Sequence, residues 1–348
     1  MKLASVRDLK EELKQKPKLP QAYAAAFAAP RAMTAAFDEA HTRSPQHNLI
    51  SLGVAPGRSS GDFRLGIRIH VAERAKAVAM AQELTRAAKG ECDLRIIPHV
   101  AKRGGPSPEW FTKHRRPLEA GISIGHFRIT AGTLGFFVRD DDGVYILSNN
   151  HVLADVNRGQ PGDPILQPGP YDERHVRNRK LRQEDVVGVL DRFVPISFSR
   201  SNVVDCAIAE IFKGIGRVDG RTRAIRKHVK GTKPVTVDDL HLPVFKAGRT
   251  TGITRGRITQ VEVDRLRVDM GDGSKERTAL FSDQFEIEGP SPRKRFSAGG
   301  DSGSLIVDAQ GFARGLLFSG GPDTHGNDLT YASQIEVVLK KLGVTLVA

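Results

Sequence analysis

The chain of 348 residues has only two cysteines, Cys92 and Cys206. A disulfide framework is therefore excluded, and each cysteine lies in an apolar, strand-like run where a small buried thiol is expected. No C-x-x-C pair occurs, which removes the usual Cys-based zinc and redox spacings; no metal and no cofactor is expected. Long hydrophobic runs are also missing. The Ala-rich stretch 23–37 is broken by Pro30 and Arg31, so it is too short and too interrupted to span a bilayer. Residues 1–12 lack the continuous apolar core of a signal peptide. These absences lead to the expectation of a cytoplasmic protein with no membrane partner.

What is present suits a folded protein. Hydrophobic residues make up 39% and charged residues 27%, a globular balance, and the length allows two or more units with a sizeable core. The net charge is +13, from 53 Lys and Arg against 40 Asp and Glu. The excess sits in runs: Arg174 to Arg182, Arg221 to Lys233, and Arg293-Lys294-Arg295. A basic surface attracts nucleic acid or acidic proteins. These runs lack the interleaved aromatics of single-strand binders, and solvated loops are the plainer reading.

The pattern divides the chain into four parts. Residues 1–45 read as a helical N-terminal arm, with Val6, Leu9 and Leu13 on one face and Ala-rich helical segments at 24–29 and 32–40. Residues 46–103 read as a small α+β domain of order β-β-α-β. Its middle strand, 63–71, alternates apolar and polar, and its helix, 73–89, stops at Gly90. Arg64, Arg68 and Arg95 are expected to share one solvated sheet face. Residues 104–116 are a Pro-, Gly- and charge-rich linker. From 117 to 348 short strands and Gly-containing turns dominate, which points to a β-barrel or sandwich. Continuous strands are expected at 132–138, 144–148 and 235–237 among others, with a hairpin turn at 139–143 and a last helix over 333–342.

One stretch carries chemistry: Phe296-Ser297-Ala298-Gly299-Gly300-Asp301-Ser302-Gly303-Ser304. Its glycines let backbone approach a ligand closely, and it presents one hydroxyl, Ser302, at a bend. A serine is a weak nucleophile unless a base activates it and a carboxylate orients that base. His151 stands where an apolar strand, Tyr145 to Ser148, stops and two Asn turn the chain. Asp205 interrupts the apolar run Val203-Val204-Asp205-Cys206-Ala207-Ile208, where a charge is costly unless paired. Asp191 competes for the same part, but Arg192 beside it suggests an ordinary surface pair.

Three segments together, Leu147-Ser148-Asn149-Asn150-His151-Val152-Leu153-Ala154, Val204-Asp205-Cys206-Ala207-Ile208 and Gly300-Asp301-Ser302-Gly303-Ser304, resemble the His, Asp and Ser boxes of trypsin-like (chymotrypsin-fold) serine peptidases. Phe245-Lys246-Ala247-Gly248-Arg249-Thr250-Thr251-Gly252 resembles the turn that begins the second barrel of that family. Gly315-Leu316-Leu317-Phe318-Ser319-Gly320 resembles the strand along its specificity pocket. The Asn-Asn-His box and the lack of disulfides look most like HtrA-type and related bacterial members. The resemblance covers roughly 117–345 and implies a mainly β fold of two six-stranded antiparallel barrels.

It further implies a serine endopeptidase acting on protein or peptide substrates through His151, Asp205 and Ser302. The Gly300 and Ser302 amides would form an oxyanion hole, and Phe296, Ser297, Phe318, Ser319 and Gly320 a substrate pocket. The chain departs from the family in three ways. Phe296 stands where a trypsin has an acid, which favours a hydrophobic or small substrate side chain. No Ile-Val-Gly-Gly segment occurs to pair with Asp301, for which one of Arg293 to Arg295 is the expected partner. No PDZ-like segment follows the peptidase part, so regulation or partner binding is assigned to the N-terminal region. Self-cleavage in the linker is a further expectation. The competing reading is a catalytically silent, peptidase-like scaffold that contacts nucleic acid or acidic partners through its basic runs.

Overall fold

In the computed structural model, residues 1–15, 49–71, 74–97, 108–172, 182–271, 277–291 and 294–348 are described. The Ala-rich segments at 24–29 and 32–40 lie outside them, as do Arg174 to Lys180, Arg293 and the first part of the linker.

The chain opens with helix α1 (Leu3–Gln15). Strands β1 (Ile50–Pro56) and β2 (Phe63–Ile69) follow, then helix α2 (Arg74–Ala87) and strand β3 (Cys92–Ile96). β2 and β3 are parallel, joined by α2 as a crossover, and β1 is antiparallel to β2. The next part holds β4 (Leu118–Ala120), β5 (Ser123–His126), β6 (Gly132–Thr133), β7 (Phe136–Arg139) and β8 (Val144–Ser148). After a short helix, α3 (Asn150–Leu153), come β9 (Pro164–Leu166), β10 (Val186–Phe193), β11 (Ala207–Ile211), β12 (Arg217–Thr222) and β13 (Gly231–Thr232). The last part has β14 (Pro243–Gly248), β15 (Gly252–Asp264), β16 (Leu266–Asp269), β17 (Thr278–Phe281), β18 (Gln284–Glu288), β19 (Leu305–Asp308), β20 (Phe312–Pro322) and β21 (Asp328–Gln334). Helix α4 (Ile335–Leu342) and strand β22 (Thr345–Leu346) end it.

The molecule is mainly β and has two barrel-like sheets. The second closes on itself through β14, β19, β20, β21, β18 and β15, since β15 returns to pair with β14. The first is an open half-barrel, ordered β22-β7-β8-β11-β10-β9-β5-β6. The hairpin expected at 139–143 joins β7 to β8, and Asp140 Oδ1 accepts the amides of Asp142 and Gly143. The strand expected over 132–138 is split at Leu134-Gly135. A Cβ on Gly135 would stand 2.3 Å from the carbonyl oxygen of Gly303, so the break admits the loop of the second barrel. No strand forms at 235–237. Thr236 instead caps a short 3₁₀ turn, Val237–Asp239, in a capping box with Asp239.

The N-terminal strands do not make a sheet of their own. β1 pairs with β15, so β1, β2 and β3 prolong the closed barrel's sheet outward. One apolar cluster runs from Val6, Leu52, Ile67 and Leu84 into Ile258, Phe285, Ile287 and Phe296 of the barrel. The β15 strand must therefore serve three neighbours. It does so with register shifts against β1 and β18, and α1 secures its end: Lys10 Nζ reaches Asp264 at 2.9 Å and the Glu262 carbonyl at 2.7 Å.

The face expected to carry solvated arginines is occupied differently. Arg68 is fully buried and forks onto Glu286 with two 2.7 Å bonds, while Asp93 takes a third at 2.9 Å. Thr259 and Tyr331 hydroxyls donate to the same Glu286, each at 2.9 Å. Arg95 pairs with Glu288 at 3.2 Å. The expectation of an open basic face fails because Glu286 and Glu288, distant in sequence, arrive beneath the two arginines once β1 docks on β15. Burial pulls the Glu286 carboxyl upward, yet the Arg68 charge and hydrogen bonds outweigh it and hold it below the ordinary range.

Two measurements follow from this packing. Arg68→Met leaves Glu286 charged and unpaired, and should cost about 3–5 kcal/mol in urea denaturation, whereas the double variant with Glu286→Leu should recover most of the loss. A double variant no more stable than the single one would sink this account. His70, whose imidazole meets Ser51 Oγ at 3.1 Å, is pushed down to about 3 by burial, with Arg267 and Arg68 adding to it. Its folded form stays neutral where the unfolded form takes a proton. Stability from this group is thus complete above pH about 6.5 and is lost as pH falls toward 3, by at most ~1.4 kcal/mol per pH unit. His70→Gln should flatten that stretch of the stability–pH curve relative to wild type.

Candidate active site

The three expected side chains come from both barrels. His151 lies on α3, directly after β8; Asp205 stands two residues before β11; Ser302 lies in the loop before β19. Strands β8 and β11 are paired, Ser148 opposite Ala207, so the ends carrying His151 and Asp205 emerge together. His151 Nδ1 is hydrogen-bonded to Asp205 Oδ2, and the other carboxylate oxygen accepts the His151 backbone N–H at 3.2 Å. Both residues are buried, Asp205 completely. The adjoining asparagines build this corner. Asn149 donates to the Asp205 carbonyl at 2.7 Å, and Asn150 donates to the Val194 carbonyl and to Asn157, each at 2.8 Å. The competitor Asp191 forms the surface pair expected of it, with Arg192 at 2.6 Å.

Ser302 is buried, and its Oγ donates to the Phe318 carbonyl at 3.4 Å. Among the described residues no hydrogen bond joins it to His151. Its loop is nonetheless pressed on the strand end that bears His151. Thr133 N–H donates to the Ser302 carbonyl at 2.8 Å, and a Cβ on Gly303 would meet Ser148 Oγ at 2.1 Å. Gly303 has φ +96°, so the position needs glycine on both counts. The turn before it is closed by Asp301 N–H to the Ala298 carbonyl at 3.0 Å, with Gly300 third at φ +97°. That is the type II arrangement. Among the described residues neither the Gly300 nor the Ser302 N–H has an acceptor.

Asp301 holds this turn together. Its carboxylate accepts the amides of Thr250 at 2.8 Å, Thr251 at 3.1 Å and Ala298 at 2.9 Å, and the Thr251 hydroxyl at 2.7 Å. Its charge partner is Lys246, 3.2 Å away, and both side chains are fully buried. The partner expected among Arg293 to Arg295 is thus replaced by a residue of β14. Sequence reasoning missed Lys246, although the signal was the one that marked Asp205: a charge inside an apolar strand. Burial pulls the Lys246 ammonium down, and Asp301 opposes that.

The expected pocket residues part company. Phe296 turns into the barrel core with Ile258, Phe285 and Ile287. Phe318 packs against Phe281, ring centroids 4.7 Å apart. Ser297 Oγ and Thr330 Oγ1 are 2.7 Å apart, and a Cβ on Gly320 would come within 3.5 Å of Ser297 Oγ. Ser319 Oγ is buried without a partner. Thr330 was not foreseen; it stands opposite Gly320 across the β20–β21 pairing, which sequence spacing does not reveal. Of the basic run 221–233, Arg223 stacks on Trp110 and pairs with Glu119, and Lys233 lies over Phe312. Among the described residues no group of three His, Cys, Asp or Glu side chains converges as metal ligands would.

Lys246→Met would strand the Asp301 charge in the interior. A loss of about 3–5 kcal/mol in stability is expected, with Lys246→Arg intermediate. Unchanged denaturation midpoints for Lys246→Met would remove the pair from its proposed structural part.

No protein-family model matches the chain. No curated protein matches it either. Among solved structures it is similar to protease A of Thermobifida fusca, at 16% identity and a TM-score of 0.45, over 66% of this chain and 100% of that one. It is similar to Cellulomonas bogoriensis chymotrypsin, at 15% identity and 0.43, over 66% and 98%. The MamO protease domain from Magnetospirillum magneticum shows 12% identity and 0.33, over 70% and 95%. In this chain a closed six-stranded barrel stands beside an open half-barrel, and the serine loop of the closed barrel meets the half-barrel through the Thr133–Ser302 hydrogen bond.

Proposed function

We propose that the protein is a serine endopeptidase that hydrolyses peptide bonds through Ser302, His151 and Asp205. The observation that carries this reading is the His151–Asp205 pair. A fully buried carboxylate, bonded to both the ring Nδ1 and the backbone N–H of His151, holds Nε2 as the free basic nitrogen. In the proposed reaction His151 takes the Ser302 proton while Ser302 Oγ bonds to the substrate carbonyl carbon. The oxyanion is received by the N–H groups of Gly300 and Ser302. The C–N bond breaks as His151 gives the proton to the departing amine. Water, activated by the same imidazole, then releases the acid.

The Lys246–Asp301 pair supports a site that needs no liberated N-terminus, because an internal cation already neutralises Asp301. For the pocket, the Ser297–Thr330 hydroxyl pair and Gly320 support uncharged, small substrate side chains. A regulatory part for the N-terminal region is supported by its contact with the turn between β20 and β21. The Thr324 N–H donates to the Ile96 carbonyl at 2.9 Å, and Arg95 reaches Asp323. Those strands carry Ser319, Gly320 and Thr330. Proteins or peptides are the proposed partners, the chain's own linker included. No described helix is long and apolar enough to cross a membrane, and a cytoplasmic setting belongs to the proposal.

Wild type is expected to react with a fluorophosphonate probe at Ser302 and to cleave members of a peptide library after uncharged residues. Ser302→Ala should abolish labelling and lower kcat on the order of 10⁵-fold or more with the fold intact; Asp205→Asn should lower it about 10⁴-fold. Labelling that persists in Ser302→Ala, or a wild type with neither labelling nor cleavage, defeats the proposal.

A further inference from the structure

The proposed oxyanion hole depends on the orientation of one peptide plane, Gly299–Gly300. In a trans peptide the C=O and N–H point in opposite directions. Whatever holds the Gly299 carbonyl therefore decides where the Gly300 N–H is aimed. That carbonyl accepts a 2.7 Å hydrogen bond from the Thr250 hydroxyl.

The Thr250 hydroxyl has a single proton, and its neighbour dictates where it goes. Arg249 Nη1 lies 3.0 Å from Thr250 Oγ1. A guanidinium can only donate, so the hydroxyl oxygen accepts there and its proton is left for Gly299. Arg249 is itself fixed. Its Nε donates to Asp172 Oδ2 at 2.8 Å and its Nη2 to Oδ1, and Asp172 also accepts the Ser123 hydroxyl at 2.6 Å. Arg249 and Asp172 side chains are almost wholly buried, where such a forked, charge-assisted pair is rigid. A Cβ on Gly300 would fall 2.4 Å from Thr250 Oγ1, so the turn is packed directly on this hydroxyl. The next plane, Gly300–Asp301, has a separate anchor in the Thr133 hydroxyl, 2.8 Å from the Gly300 carbonyl. It does not constrain the Gly299 carbonyl.

We infer that Thr250 is a positioning residue that keeps the Gly300 N–H turned into the oxyanion hole, with Arg249 and Asp172 setting the direction of its hydroxyl. This rests on the peptidase reading above. Without the Thr250 bond the Gly299 carbonyl is free to rotate into the hole and present an acceptor where a donor is required. The loss would appear only as negative charge develops on the substrate oxygen, so it falls on kcat rather than on substrate binding.

The test is Thr250→Val in the full chain, which removes the hydroxyl at nearly constant shape. With a peptide substrate, kcat should fall roughly ten- to a hundredfold, short of losing a whole oxyanion donor at about 10²–10³, and KM should stay within about twofold. Affinity for a peptide aldehyde should fall in step with kcat, while affinity for the matching product peptide should not. Thr250→Ser should restore kcat to within about threefold. Arg249→Met, a second route to the same defect should Thr250→Val not fold, should lower kcat about three- to tenfold, again at constant KM. A kcat within twofold of wild type for Thr250→Val, or a loss that serine does not restore, overturns the inference. A crystal structure of Thr250→Val reads the inference apart from activity: a Gly299–Gly300 peptide still in its original orientation overturns it even where wild type itself proves inactive, an outcome that would otherwise condemn only the peptidase reading.

Discussion

The Asp301 carboxylate, fully buried beside Lys246, is the constraint on which the site depends. An isolated charge at that depth is prohibitive, so the surrounding backbone has to be bent to meet it. The amides of Thr250 and Thr251 come from the β14–β15 turn and the amide of Ala298 from the serine loop. One carboxylate thus binds two loops into a single unit. The type II turn at Gly300, the aim of the Gly300 and Ser302 amides, and the approach of Thr250 to the Gly299 carbonyl all inherit their geometry from that knot. Because both partners are internal to the second barrel, the arrangement is complete in the folded chain.

A second buried pair does comparable work on other strands of the same sheet. Arg68 and Glu286 join β2 to β18 across β1 and β15, and the apolar cluster beneath them runs unbroken from α1 into the barrel. The N-terminal strands are in this sense an extension of the barrel wall. That continuity brings Ile96 against Thr324 and gives the added strands a physical path to the turn between β20 and β21.

Much of the candidate site was legible because its residues break local rules. Asp205 and Ser302 are conspicuous in sequence, one as a charge in an apolar strand, the other as a hydroxyl among glycines. Lys246 broke the same rule as Asp205, yet its partner lies 55 positions away in a loop of another strand pair, and no local pattern names it. Phe296 was legible as an apolar residue but not as a core residue. Its direction depends on which face of the loop meets Ile258 and Phe285. Arg68 and Arg95 alternate with apolar residues as a solvated face would, and only the docking of β1 on β15 reverses that sense.

By itself the sequence determined the hairpin at 139–143, many of the strands from 117 onward though not one at 235–237, the corner at His151 and the bend at Ser302. Each rests on interactions between residues close in the chain, such as turn chemistry, alternation and glycine tolerance. The tertiary structure alone decided which charges neutralise one another, which glycines must admit foreign backbone, and which hydroxyl holds the Gly299 carbonyl. Those are pairings between remote segments, chosen by the cost of leaving a buried charge or peptide group unmatched, and that cost exists only once the barrels have closed over them.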